Sequence, residues 1–322
     1  MYLGGIIAAL IASCSTDVKL NADWQETTVI YGLLDQNESM HFIKINKTYL
    51  GDGSALDFAQ VRDSSEYDTS IVNGVVQEII NGSINRSWVL KDTVLTNKLE
   101  GIFYGPEHTA YYFEEPALDP DAKYLLTVSI NYGDSTKEVT AETELVRPFI
   151  IINPNATPQS TIGFANASTA SLPYRTSPVE WVSSEGAKRY NLQIRFKYWE
   201  VTASDTTVRQ LYWNLGDYKT LTADGGETIN TTVDGESFFQ FIQARMEANP
   251  ELTSPNVIKR LFKGIDFILA VAGEDLNTYM EVNEPVTGVV QERPQFTNVT
   301  NGIGVFSSRF SQKVTNKSLD FN

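Results

Sequence analysis

From Glu26 onward the apolar residues alternate with polar ones. His41, Ile43 and Ile45 fall on one side of an extended segment, and Met40, Phe42 and Lys44 on the other. Tyr190, Leu192, Ile194 and Phe196 alternate in the same way with Asn191, Gln193, Arg195 and Lys197. A period of two with one apolar side is the pattern of a half-buried strand. Residues 27–34, rich in β-branched and aromatic side chains, face 40–46 across the turn-forming stretch 35–39, which predicts a hairpin. Further strands are expected near 71–80, 87–90, 109–113 and 136–146. A second hairpin runs through Tyr198-Trp199, turns at Ala203-Ser204-Asp205 and returns through Leu211-Tyr212-Trp213. The continuous apolar run 265–272 reads as a central strand. Helical signals are sparse. Ser54 caps a short segment at 55–61. Asp234 precedes Phe238, Ile242 and Met246 at a spacing of four, joined by Phe239 and Phe241 and stopped by Asn249-Pro250.

The expected fold is therefore mainly β. Two immunoglobulin-like or fibronectin type III-like β-sandwich domains are predicted, at 26–147 and 148–322, the second with one inserted amphipathic helix near 235–249. Arg147-Pro148 ends the first, and 150–177 reads as a connector with one strand. The spacing Leu118, Pro120, Tyr124, followed by alternating apolar residues, resembles the tyrosine corner of fibronectin type III modules. There the hydroxyl bonds back to upstream backbone. Trp181, then a turn, then a strand led by Tyr190, resembles strands B and C of the same fold.

The N-terminus follows a different rule. An apolar run from Tyr2 to Ala12 leads through Ser13 to Cys14, the only cysteine. The run is shorter than the ~20 residues that span a bilayer and fits the ~7–15 of a signal h-region. Small residues before a cysteine form a lipoprotein cleavage site, so residues 1–14 are expected to be a signal with Cys14 receiving a covalent lipid such as palmitate. No basic residue precedes the run as one does in most signals, so the expectation is either a true start upstream or a trimmed chain. Residues 15–25 are polar and form a tether reaching at most ~36 Å. With no second cysteine, both cores must form without disulfides.

Composition narrows the function further. The net charge is −15, with 40 acidic and 25 basic residues, and such a surface repels phosphate backbones, so no nucleic-acid partner is expected. It also argues against flat adsorption on anionic lipid, leaving the acyl chain as the membrane attachment. The two histidines, His41 and His108, stand in separate stretches. No metalloprotease, nucleophile-elbow, phosphate-loop or paired-cysteine motif occurs. No catalytic residue, metal or cofactor is expected, although 40 carboxylates leave a hydrolase with an unrecognised acid pair open. Asp52, Asp57, Asp63, Glu66 and Asp68 crowd one region without calcium-loop spacing and read as a solvated loop. The candidate ligand or partner contacts are Tyr198, Trp199, Tyr212, Trp213 and Tyr218. Neighbours on a strand face opposite sides, so one of each Tyr-Trp pair belongs to a core and its neighbour faces solvent. Recognition surfaces draw on exposed Tyr and Trp, while cross-strand packing alone also accounts for such pairs.

Two terminal blocks resemble a known family. Val29-Ile30-Tyr31-Gly32-Leu33-Leu34-Asp35, Ile43-Lys44-Ile45-Asn46-Lys47, Tyr49-Leu50-Gly51 and Gly53-Ser54-Ala55-Leu56 lie near the start. Thr297-Asn298, Asn301-Gly302-Ile303-Gly304 and Phe306 lie near the end. They are similar to the Bacteroidota outer-membrane lipoproteins known only as a domain of unknown function. The resemblance covers nearly the whole mature chain and is specific at both ends. It implies a lipid-anchored outer-membrane protein working beside a TonB-dependent transporter or another envelope protein, and it brings no catalytic residues. The expected role is binding or accessory. The alternatives are a structural spacer or adhesin-like envelope protein and, third, a hydrolase.

Overall fold

The computed structural model describes residues 26–49, 54–157, 161–166, 174–248, 257–285 and 294–320. The signal, Cys14 and the tether lie outside the described residues. Strands β1 (Thr28–Leu34) and β2 (Met40–Lys47) form the first hairpin. Helices α1 (Ala55–Ala59) and α2 (Arg62–Ser65) are single turns, the first capped by the Ser54 hydroxyl. Strands β3 (Val72–Ile80), β4 (Ser83–Val89), β5 (Lys91–Leu95), β6 (His108–Glu114), β7 (Lys123–Asn131) and β8 (Thr136–Glu144) complete the first half. The second begins with β9 (Ile151–Asn153), β10 (Thr161–Gly163), β11 (Thr176–Val182), β12 (Ala187–Thr202), β13 (Thr206–Lys219) and β14 (Thr228–Asp234). Helix α3 (Gly235–Ala248), β15 (Val257–Gly273), α4 (Glu274–Asn283), β16 (Val299–Thr300) and β17 (Gly302–Asp320) follow.

The molecule is mainly β, and its strands make three sheets. The largest runs β13-β12-β15-β17-β1-β2-β6-β5, with β10 also paired to β17. A five-stranded sheet, β16-β8-β7-β3-β4, covers one end of it, and a three-stranded sheet, β14-β11-β9, covers the other. The first core fills the space between Ile30, Ile43 and Phe113 of the large sheet and Val76, Leu126 and Val139 of the five-stranded one. The second lies between Leu192, Ile194, Phe267 and Leu269 on one side and Val179, Trp181, Val233 and Phe238 on the other. Trp181 is fully buried, its ring 5.8 Å from that of Tyr190. Two sandwiches thus share one sheet.

Strand β17 makes the sharing possible. It pairs in parallel with β1 and antiparallel with β15. Phe306 lies in the first core, and Phe310 and Val314 lie in the second. Val299, from β16, also enters the first core. Strands β16 and β17 therefore serve both halves, which a reading of consecutive hairpins does not reveal. The close approach of β1 requires glycine at 304. Its φ is +117°, and a Cβ there would stand 2.0 Å from the Ile30 carbonyl oxygen.

Tyr124 is fully buried, and its hydroxyl reaches back to the Asp119 carbonyl at 3.0 Å, the upstream bond expected of a corner tyrosine. Its single proton is shared with the Glu78 carboxylate at 2.9 Å. Glu78, also fully buried, accepts from Asn85 and Arg86 as well. Burial pushes its pKa up, but the bonds from Arg86, Asn85 and Tyr124 outweigh burial and hold it down at about 2.

Helix α4 departs from the expectation of one inserted helix. Its sequence, EDLNTYMEVN, offers only the short set Leu276, Tyr279 and Met280 at helical spacing, and its buried residue is the polar Asn277. Asn277 is 2% exposed and accepts from Nε of Arg189, itself buried and paired with Asp217 and Glu284.

Candidate functional site

The predicted hairpin is the long pair β12–β13, at one margin of the large sheet. Its register sets the faces. Arg195 pairs with Tyr212, Lys197 with Gln210 and Trp199 with Val208 on the outer face. Ile194 pairs with Trp213 and Tyr198 with Arg209 on the inner face. The aromatic residues divide accordingly. Tyr198 is 1% exposed and belongs to the second core. Trp213 lies against that core, its ring stacked at 5.4 Å on Phe241 of α3. Tyr218 packs edge-on against Trp181, with its hydroxyl 2.9 Å from that of Thr231. These three support the fold from within. Tyr212 is 49% exposed on the outer face, and Trp199 is half-buried there beneath Lys263, whose ammonium stands 3.9 Å from the ring centre.

Helix α3 turns its apolar face to the core and leaves mainly polar residues, such as Glu236, Gln240, Gln243 and Arg245, exposed. Asp234 caps it by accepting from the Ser237 amide. Phe238 is fully buried, and Phe239, Ile242 and Met246 pack against the core.

Ion pairs hold the outer face rigid. Asp266 of β15 has no exposed surface, accepts from Nε of Arg195 at 2.7 Å and pairs with Lys197 at 2.7 Å. On the inner face the buried Glu200 lies 3.4 Å from Arg209 and 3.5 Å from Arg260. The Tyr198 hydroxyl is buried there with no hydrogen-bond partner. Spacing in sequence could not announce these clusters, because Asp266 lies 71 positions from Arg195, and Arg260 60 from Glu200.

Beyond the end of β17 the strands β13, β12 and β15 continue as a three-stranded tongue. In its β15 strand, six consecutive residues, 258–263, are exposed. They are Ile258, Lys259, Arg260, Leu261, Phe262 and Lys263, three apolar and three basic.

Elsewhere, a cleft of about 370 Å³ opens between the two sandwiches. It is lined by Glu142, Glu144, Glu185, Asp224, Glu274 and Asp275, among others. Lys123 pairs with Glu142 and Glu144. Burial raises the pKa of Asp275 against a bond from Asn298.

The histidines stand on different strands with backbone carbonyls as partners. His41 Nε2 lies 3.0 Å from the Glu115 carbonyl, and His108 Nδ1 lies 3.5 Å from that of Pro106. Of the acidic crowd, Asp52 lies outside the described residues. Glu66 is no solvated loop residue: it is buried and bonded to Lys44, Arg62 and Thr109. Burial pushes its pKa up, and those bonds bring it down to about 2. Among the described residues no group of three or more His, Cys, Asp or Glu could hold a metal ion. Among them too, no helix is long and apolar enough to cross a membrane.

No protein-family profile and no curated protein matches the chain. Among solved structures the chain is similar to the C-terminal globular domain of an oligosaccharyltransferase from Pyrococcus abyssi, at 11% identity and a TM-score of 0.28. The match covers 74% of this chain and 45% of that one, so this chain spans less than half of that structure's length.

Proposed function

We propose that this protein is a lipid-anchored binding or accessory lipoprotein of the outer membrane, held by an acyl chain on Cys14 and working beside a TonB-dependent transporter. The outer face of β12–β13 is its contact surface, with Tyr212 and Trp199 as anchors. One observation carries the choice of surface. Tyr212 is half-exposed on a sheet that the Asp266–Arg195–Lys197 ion pairs make stiff. A rigid aromatic side chain with two rotatable bonds buries much area on binding at little entropic cost. Tyr198, Trp213 and Tyr218 take no part in contact, since they are needed by the core. The resemblance of the terminal blocks supports the localisation and the transporter as partner class.

The test is co-purification from native membranes. The transporter should accompany the wild-type protein and be lost from Tyr212→Ser with Trp199→Ser, while a core variant of equal stability retains it.

A second reading is a rigid spacer. It is favoured by β17, which runs unbroken through both sandwiches and leaves no flexible joint along that strand. A spacer would show no dependence of capture on Tyr212.

A further inference from the structure

We infer that the tongue formed by the distal ends of β12, β13 and β15 docks on an anionic lipid surface through residues 258–263. This goes beyond the partner surface above, which uses other side chains of the same sheet.

The whole chain is acidic, but its charge is unevenly placed. Residues 195–213 and 257–266 carry six basic and three acidic side chains, against 25 and 40 in the whole chain. Two of the three acids are already matched: Asp266 by Arg195 and Lys197, Glu200 by Arg209 and Arg260. Lys259 and Lys263 add charge for which no acidic partner is recorded within ion-pair distance among the described residues. The tongue is thus a cationic spot on an anionic body, complementary to phosphate-bearing headgroups.

The apolar side chains decide between lipid and an acidic polypeptide. Ile258 is 65% exposed, Leu261 45% and Phe262 41%, all on one strand and interleaved with the three cations. The pairing of this strand with β17 ends at Ile265, so the edge of 258–263 on that side carries no β17 ladder, and Phe262 keeps one contact inward, with its ring 5.7 Å from that of Phe196. Headgroups can meet the cations while the apolar chains enter the acyl boundary just beneath, the arrangement of interfacial segments. An acidic peptide offers the charge and leaves the apolar chains in water.

The experiment is sedimentation of residues 15–322, which lack both the apolar run 2–12 and the acylated cysteine, with phosphatidylcholine vesicles containing 0 or ~30% phosphatidylglycerol. Two variants change exposed residues only: Lys259→Glu with Lys263→Glu, and Ile258→Ser with Leu261→Ser. The parent should bind anionic vesicles and not neutral ones. Each double variant should lower the partition coefficient at least tenfold, with unchanged circular dichroism. Equal binding by parent and both variants overturns the inference. So does binding to soluble polyglutamate that competes fully with vesicles, which assigns the tongue to an acidic protein. Transporter capture by Lys259→Glu alone, which leaves Tyr212, Trp199 and the Lys263 ammonium over its ring in place, reports separately on the partner surface.

Discussion

Replacing Tyr124 by Phe removes one hydroxyl from the first core and leaves the ring. The hydroxyl is shared between the Glu78 carboxylate and the Asp119 carbonyl, at 2.9 and 3.0 Å. A hydrogen bond to a charged group contributes about 1.5–3 kcal/mol, and the Glu78 carboxylate cannot turn to water, since it has no exposed surface, while the Asp119 carbonyl keeps the Ala122 amide as donor. The expected loss at neutral pH is therefore about 2 kcal/mol. The pH dependence supplies a second sign. Glu78 has its folded pKa depressed to about 2. Its contribution is fully present above the unfolded carboxylate range near ~4.3 and is lost as pH falls toward 2. Tyr124→Phe removes one of the bonds that depress it, so the acid limb should move to higher pH. Urea unfolding followed by fluorescence suits this test, because Trp88 stacks on Tyr124 with ring centres 6.5 Å apart. Denaturation midpoints at pH 7 and along the range 5 to 2 give both quantities. A variant as stable as wild type at pH 7, within about 0.5 kcal/mol, with an unmoved acid limb, would refute the reasoning.

Glu66→Gln, which takes a buried carboxylate from the partly solvated Lys44 and Arg62, should cost about 1.5–3 kcal/mol in the same assay. Gly304→Ala should cost about 3 kcal/mol or more and lower soluble yield, since the new methyl meets the Ile30 carbonyl at a backbone angle reserved for glycine. A Gly304→Ala protein with an unchanged melting temperature would contradict the β1–β17 pairing. Asn277→Ala should release α4 at a cost of about 1–2 kcal/mol, seen as faster amide exchange across residues 274–283 with the β12 core still protected.

The local pattern of the chain was legible. Period-two stretches became β2 and β12, the apolar run 265–272 became the middle of β15, and the Asp234 cap opened α3. The spacing before Tyr124 anticipated its backbone bond. What alternation cannot carry is which strands meet. A parallel partner 274 residues away, Thr28 beside Gly302, leaves no mark on either segment beyond the glycines that allow it. For the same reason a cut at residue 147 looks natural in sequence, yet it removes Val299 and Phe306 from the first core. Helix α4 was missed because Leu276, Tyr279 and Met280 make too short an apolar set to stand out, and its buried anchor is the polar Asn277. At the site, alternation separated Tyr198 from Trp199 and Tyr212 from Trp213, but which member faced the core depended on where α3 and the three-stranded sheet lie. The exposed run at 258–263 was hidden by its own composition. Ile, Leu and Phe on a strand read as core until β17 is seen to stop short of them.

The claim that most needs testing is that Tyr212 and Trp199 form a contact surface for a transporter. The direct measurement is quantitative mass spectrometry of TonB-dependent transporters recovered with the full-length, membrane-extracted protein. Wild type and Tyr212→Ser with Trp199→Ser are compared at matched yield and matched melting temperature. The account predicts one transporter enriched with wild type and reduced at least tenfold with the double variant, about 1.4 kcal/mol or more of lost contact. Equal recovery from both proteins, or no transporter from either, would contradict it.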